Sequence, residues 1–301
     1  MAAVVAGDRR ALARLITLVE EDRLGAGEAL RRAFDAAIPS HRIGITGAPG
    51  TGKSTIGDGI IREVRARGDR VAVLAVDPTS PFSGGAVLGD RVRMQEHVLD
   101  SDVFIRSMAT RGHLGGLSAA APKALVLLEA AKYPWILVET VGVGQDEVEV
   151  TAAADTVVVV VTPGWGDGIQ AAKAGILEIG DVFVVNKSDR PGAADAVADL
   201  RAMLGLAPAA DWVPPIVQTV ASAGAGIPEL WEAIRAHRDH LGAAGMEARR
   251  RSRRRTELES ALAVELRRRA RDLAASAPDV LAAVESGRLD PWTAAVRLSG
   301  S

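Results

Sequence analysis

A chain of 301 residues carrying 36 Lys and Arg against 38 Asp and Glu, for a net charge of −2, has room for one large domain or two small ones, and its charge balance argues against a surface devoted to nucleic acid or anionic lipid. Hydrophobic residues make up 48% and aromatics only 3%, so Ala, Val, Leu and Ile must fill the interior. The absence of cysteine excludes disulfides, thiol nucleophiles, iron–sulfur clusters and thiolate-bound zinc, and fits a reducing cytoplasm.

The N-terminus carries Asp8, Arg9 and Arg10 where a signal peptide needs its apolar centre, and no run approaches the roughly 18 apolar residues of a membrane span. The expectation is a cytoplasmic protein with no membrane contact. Residues 8–38 read as helical. Leu12, Leu15, Ile16 and Val19 share one face, and Leu30, Phe34 and Ile38 form a second predicted apolar face, giving an N-terminal helical extension over 1–40.

From residue 41 to about 240, β-branched runs alternate with helical stretches. The runs are 43–46, 71–76, 103–105, 135–138, 156–161, 182–185 and 216–220. Continuous apolar strands separated by helices predict an α/β fold with a mostly parallel, doubly wound sheet buried on both faces. Ligands in such sheets bind beyond the carboxyl ends of the strands. A third region, 241–301, holds a run of arginines at 249, 250, 251, 253, 254 and 255, then a helical stripe of Leu258, Leu262, Leu266 and Leu273, and then Asp290-Pro291-Trp292 opening a short helix.

The first strand runs into Gly47-Ala48-Pro49-Gly50-Thr51-Gly52-Lys53-Ser54-Thr55, the Walker A pattern in its required strand–loop–helix setting. Its glycines let successive backbone N–H groups turn toward phosphate oxygens, and the helix that follows adds its positive N-terminal end. Lys53 can reach the β- and γ-phosphates, and Ser54 can ligate Mg²⁺. Asp77 closes the second strand and Glu139 the fourth; two carboxylates converging on one point favour a hard cation between them. Gly142, three residues past Glu139, can bring its N–H to a γ-phosphate.

Asn186-Lys187-Ser188-Asp189 follows the sixth strand. An ionised Asp189 can accept from guanine N1–H and the 2-amino group, whereas adenine would leave it unpaired; polar matching of this kind discriminates by roughly 10⁴ or more. Asn186 can bridge base and loop, the Lys187 stem can cover the ring, and Ala221, Ser222 and Ala223 after the last strand can offer a backbone N–H to the guanine carbonyl. The residues together define a Mg²⁺–GTP/GDP site. Val143 stands where small GTPases carry a water-orienting glutamine, and Gln145 comes two residues later, so slow intrinsic hydrolysis stimulated by a partner is expected.

The longer context is more specific. Residues 77–85 (DPTSPFSGG) lead to Leu88-Gly89-Asp90-Arg91 and Met94, residues 106–116 read RSMATRGHLGG, and residues 139–145 read ETVGVGQ. With the N-terminal GDRRALA and the C-terminal DPWTAA, they closely resemble the MeaB/ArgK family of P-loop GTPases over nearly the whole chain. The resemblance implies a homodimer joined through the 241–301 arm and association with a cobalamin-dependent acyl-CoA mutase. It implies cofactor delivery gated by GTP binding and hydrolysis, and protection of the mutase from inactivation. It makes Asp77, Asp90 and Glu139 the acids of the Mg²⁺ network, and residues 162–173 an additional switch with Gln170 and Lys173 as signalling residues. Ser188 departs from the family's usual Ala, and 221–223 is not a clean match.

Among Arg91, Arg93 and Arg111, Arg93 is preferred for transition-state charge because it lies just past Asp90. The five histidines form no cluster; His237 and His240, three apart on a helix, read as solvated. No aromatics interleave with the arginine run, which speaks for a helix leading into a dimer arm and against nucleic acid. Two other classes are compatible with a P-loop: a GTP-dependent metal-insertion protein, which would want Cys or a His tract, and a nucleotide-dependent kinase linked to amino-acid transport, which would want ATP.

Overall fold

The computed structural model describes residues 1–77, 97, 99–109, 120–140, 152–165, 178–206 and 211–300, without the side chains of Asp77, Ala109 and Thr140. Two compact units divide the chain, Met1–Arg250 and Arg251–Ser301. Within the first, helices α1 (Ala2–Val5), α2 (Arg9–Glu20) and α3 (Ala26–Ala36) precede strand β1 (His41–Thr46) and helix α4 (Lys53–Ala66). Then follow β2 (Val71–Asp77), β3 (Val103–Ala109), α5 (Ala121–Ala130), β4 (Trp135–Thr140), β5 (Thr156–Val161), β6 (Val182–Asn186), α6 (Ala193–Leu204), β7 (Ile216–Thr219) and a short 3₁₀ turn (Ala221–Ala223). The long helix α7 (Ile227–Ala275) starts in this unit, broken at Gly242.

The seven strands form one sheet in the order β3-β2-β4-β1-β5-β6-β7, and every pair in it is parallel. This is the doubly wound sheet the alternation predicts. The chain leaves β1 for β2 on one side and later crosses to β5 on the other, so the loop after β1 sits where the strand order reverses.

Alternate residues of each strand feed opposite faces. Val71 and Val73 of β2 and Ile43 and Ile45 of β1 pack with Ile56, Ile60, Ile61 and Val64 of α4 and with Ile227, Leu230, Trp231 and Ile234 of α7. Ala72, Leu74 and Val76 pack on the other face with α5 and the N-terminal helices; beside them Val157, Val159 and Phe183 pack with Ala196, Val197 and Leu200 of α6. Valine-rich β5 and β6 are fully covered.

Two expectations are corrected here. In α2 the predicted face is the buried one, with Leu12, Ile16 and Val19 in the core, and Asp8 caps the helix by accepting from the Arg10 and Ala11 N–H groups. In α3 it is so only at Leu30, which packs against the core beside the buried Ala26 and Ala33; Phe34, and Ile38 beyond the helix end, are exposed at 60% and 51%. Helix α3 packs on α2 and α5 through Ala26, Leu30 and Ala33, the two alanines permitting a close approach that Phe34 in their place would prevent. His237, read as solvated, is 1% exposed, hydrogen-bonded to Thr156 and 3.3 Å from Asp181; His240 is exposed as expected.

In the unit Arg251–Ser301, α7 runs to Ala275 and is followed by α8 (Pro278–Glu285) and α9 (Pro291–Ser299). Asp290 caps α9 through the Thr293 N–H, with Pro291 at the first helical position. Leu258, Leu262, Leu266 and Leu273 are all exposed, and Arg268 and Arg269 pair with Glu265 on the same helix.

Candidate functional site: a phosphate loop joined to a base-recognition loop

Register carries the phosphate loop into place. Thr46 pairs with Val159, so Gly47 lies beside Val160. A Cβ on Gly47 would run into the Val160 carbonyl oxygen, and its φ of 138° is one that L side chains rarely adopt. Gly50 and Gly52 also take left-handed backbone, with φ of 78° and 94°. The chain thus curls tightly from β1 into α4, bringing the N-terminal end of α4, the end that favours an anion, to the carboxyl end of the sheet.

Lys53, the first residue of α4, is buried and donates to the carbonyls of Gly47 and Ala48 at 2.7 and 3.0 Å. Its ammonium is thereby held across the mouth of its own loop. Thr51 closes the loop from within, its hydroxyl donating to the Ala48 carbonyl at 2.9 Å.

Glu139 is paired in register with Ile45, and residues in register on parallel strands share a face. That face is covered by α4, which is why the Ser54 hydroxyl meets the Glu139 carboxylate at 2.6 Å. Both residues are buried. A hydroxyl and a carboxylate at the phosphate loop form a hard-oxygen donor pair, the set that Mg²⁺ prefers, and a buried carboxylate is better accommodated beside a cation. Ser54 and Glu139 therefore fit the cation. Asp77 ends β2 on the same sheet edge, but its side chain is not described. Asp90, Arg93, Gly142, Gln145, Gln170 and Lys173 lie outside the described residues.

Asn186 ties the two halves of the site together. Its Nδ2 donates to the Thr51 carbonyl at 2.7 Å, and its Oδ1 accepts from the Thr219 hydroxyl at 3.0 Å and from the Ala221 N–H at 3.1 Å. Lys187 takes a left-handed conformation, φ 58°, and donates to the Gly50 carbonyl at 2.6 Å, so its stem spans from β6 to the phosphate loop. Asp189 is exposed, and its carboxylate has no hydrogen bond or ion pair among the described residues. Ser188 points its hydroxyl to the Thr219 carbonyl at 3.0 Å, away from the role Asp189 would play, so the departure from Ala is accommodated inside the loop.

The turn 221–223 is more committed than the sequence suggests. The Ala221 N–H goes to Asn186 and the Ala223 N–H to the Val220 carbonyl, which leaves Ser222 as the member outside those bonds. Thr219 heads the run that offers an N–H to the guanine carbonyl, whereas Gly226 stands in no motif of the sequence. Thr219 is paired in register with Asn186, and a Cβ on Gly226 would overlap the Gln218 carbonyl oxygen. The only signal for Gly226 was its position after the last strand.

The sheet order, the glycine loop at its reversal and the Asn186 junction define a P-loop nucleotide-binding protein. The chain belongs to the MeaB family: residues 12–274 match the model described as "Methylmalonyl Co-A mutase-associated GTPase MeaB". A Pyrococcus horikoshii protein with a provisional GTPase name is 48% identical, the match covering 96% of this chain and 93% of that one. The GTPase ArgK of Escherichia coli is 38% identical over 79% of this chain and 75% of its own. The mouse mitochondrial methylmalonic aciduria type A homolog is 36% identical over 82% and 64%. Among solved structures, a LAO/AO transport system kinase superposes with a TM-score of 0.72 at 28% identity, over 99% of this chain and 95% of that one. No helix among the described residues is long and apolar enough to cross a membrane.

Proposed function

We propose that the chain binds GTP with Mg²⁺, hydrolyses it slowly, and acts as a homodimeric chaperone of a cobalamin-dependent acyl-CoA mutase, with methylmalonyl-CoA mutase the first client to test. The observation that supports the guanine reading is Asn186, which stands three residues ahead of Asp189 in the N-K-x-D run and joins the phosphate loop at Thr51 to the turn at Thr219 and Ala221. Family membership supports the mutase client.

In this reading the backbone N–H groups of residues 47–55 hold the phosphates and Lys53 neutralises the β- and γ-oxygens. Ser54 and Glu139, with Asp77 and Asp90, hold Mg²⁺, which when bound offsets charge developing on the transferred phosphoryl group. Asp189 selects guanine and the Lys187 stem covers the ring. Arg93 supplies a further positive charge. Loss of the γ-phosphate is signalled through Gly142 and Gln145 and through the 162–173 segment, with Gln170 and Lys173 as its signalling residues. The 241–301 arm joins two copies.

Two measurements test this. Asp189→Asn is expected to collapse the preference for GTP over other purine nucleotides while leaving phosphate binding intact; equal GTP selectivity in the variant, or an ATP preference in the parent, overturns the guanine reading and returns the kinase alternative. Co-purification with candidate cobalamin mutases, compared in GDP and in a non-hydrolysable GTP analogue, is expected to retain a mutase in a nucleotide-dependent way. A GTP-selective protein that retains none in either state has another client.

A further inference from the structure

Helix α7 contains one break. Gly242 has φ 53° and ψ −169°, inside an otherwise helical element. That combination is essentially restricted to glycine. Before the break the helix is built into the core through Ile227, Leu230, Trp231 and Ile234. After it, within the same compact unit, Met246 is buried and Arg249 is half-buried.

One carboxylate touches both sides of the break. Asp181, just ahead of β6, accepts from Arg249 through both oxygens, at 2.8 and 3.0 Å, and meets His237 Nε2 at 3.3 Å. Asp181 is itself anchored independently of the helix, because its Oδ2 also accepts from the Val157 N–H at 2.8 Å. Trp212 completes the seat: its indole N–H donates to the Asp181 carbonyl at 2.8 Å, and its ring lies 4.9 Å from that of His237 and 5.1 Å from that of His240. Burial holds His237 neutral, with its pKa pushed down to about 4, so the full positive charge set against the Asp181 carboxylate is that of Arg249.

We propose that Gly242 is a hinge and that the Asp181–Arg249 pair is its clasp, holding residues 243–250 against the sheet and letting the helix turn about Gly242 when the pair opens. The near half of α7 is fixed by apolar burial and does not depend on the clasp. The far half has Met246 and the bidentate pair. A planar guanidinium on a carboxylate fixes direction as well as distance, which a single lysine contact does not. Opening the clasp leaves a largely buried carboxylate uncompensated, so the closed form is the resting one.

The test is hydrogen–deuterium exchange on the full chain, read peptide by peptide. Arg249→Met removes the charge but keeps an apolar stem, and is expected to raise exchange of residues 243–250 at least tenfold while 227–236 and β6 keep their protection. Asp181→Asn should give the same pattern, and Gly242→Ala, which cannot hold the break's backbone without strain, should also loosen 243–250. GTP affinity is expected to stay within twofold of the parent in Arg249→Met. Unchanged exchange at 243–250 in Arg249→Met overturns the clasp. Exchange that rises equally across 227–250 overturns the hinge, since the pair would then support the whole helix. A Gly242→Ala chain as protected as the parent shows that the break is not required, and overturns it as well.

Discussion

Asn186 Nδ2 occupies the space that a Cβ on Gly52 would need, while donating to the carbonyl of Thr51 one residue away. The close approach of these two residues, one at the start of α4 and one at the end of β6, is what joins the two loops. Gly52→Ala would have to displace the amide and adopt a φ of 94°. Strain of roughly 1–3 kcal/mol plus a broken bond of about 1 kcal/mol predicts a loss of GTP affinity of roughly ten- to a thousandfold with an intact sheet. Titration calorimetry beside far-ultraviolet circular dichroism checks it; wild-type affinity would mean the approach is not needed for binding.

Truncating the other partner tests the same junction from the opposite side. Asn186→Ala deletes three hydrogen bonds and strands the Thr51 carbonyl, the Thr219 hydroxyl and the Ala221 N–H. A cost of about 2–4 kcal/mol in guanine-nucleotide binding is expected, and Thr219→Val, which removes one of the three, should cost about 1 kcal/mol. If the two variants lose equal amounts, the network is not centred on Asn186.

Glu139→Gln keeps the size of the side chain and an oxygen for the Ser54 hydroxyl, which it meets at 2.6 Å, but removes the charge. The Mg²⁺ concentration needed for half-maximal GTP turnover should rise by tenfold or more, with GDP binding in the absence of metal little changed. A variant with an unaltered Mg²⁺ requirement would remove Glu139 from the cation's surroundings.

Stability should fall in mild acid for a specific reason. At the far end of the sheet the Thr156 hydroxyl lies 2.8 Å from both His41 Nε2 and His237 Nδ1. His237 Nε2 also lies 3.3 Å from Asp181, and which partner donates in each contact with Thr156 is set by the tautomers of the two rings. Burial pushes His41 to about 3 and His237 to about 4, with Asp155 and Asp181 opposing the shift and Arg238, Arg249 and the neighbouring histidines adding to it. Above pH of about 6.5 both rings are neutral folded and unfolded, and their effect is nil. Below it the unfolded chain takes up protons that the folded chain refuses, so stability falls by up to about 1.4 kcal/mol per pH unit for each ring until the folded pKa is reached. Urea melts at pH 7.5, 6 and 5 should show the decline, and His237→Gln should flatten it; an unchanged slope in that variant assigns the acid lability elsewhere.

Much of this was legible in the residues. Walker A and N-K-x-D are local signatures whose chemistry is written into consecutive residues, and valine-rich runs between helices can form little other than a covered parallel sheet. The face of α2 was legible because Leu12, Ile16 and Val19 are large and evenly spaced. The face of α3 was legible only at Leu30, because the rest of its contact is made by Ala26 and Ala33, whose small size carries no periodic signal against the louder Phe34 and Ile38. His237 was misread for a related reason: two histidines three apart look alike in sequence, and only packing against Trp212, Thr156 and Asp181 separates the buried one from the exposed one.

The sequence by itself determined the kind of site this protein carries, because phosphate cradling and guanine selection depend on side-chain chemistry at fixed short spacings. Only the tertiary structure decided how the pieces meet: that Asn186 closes on Gly52 and Thr51, that Glu139 shares a face with Ser54, and that Asp181 reaches both sides of Gly242. Those contacts join residues 68 to 135 positions apart, or join one carboxylate to both sides of a break, and such distances are closed by strand order and register rather than by anything local in the chain.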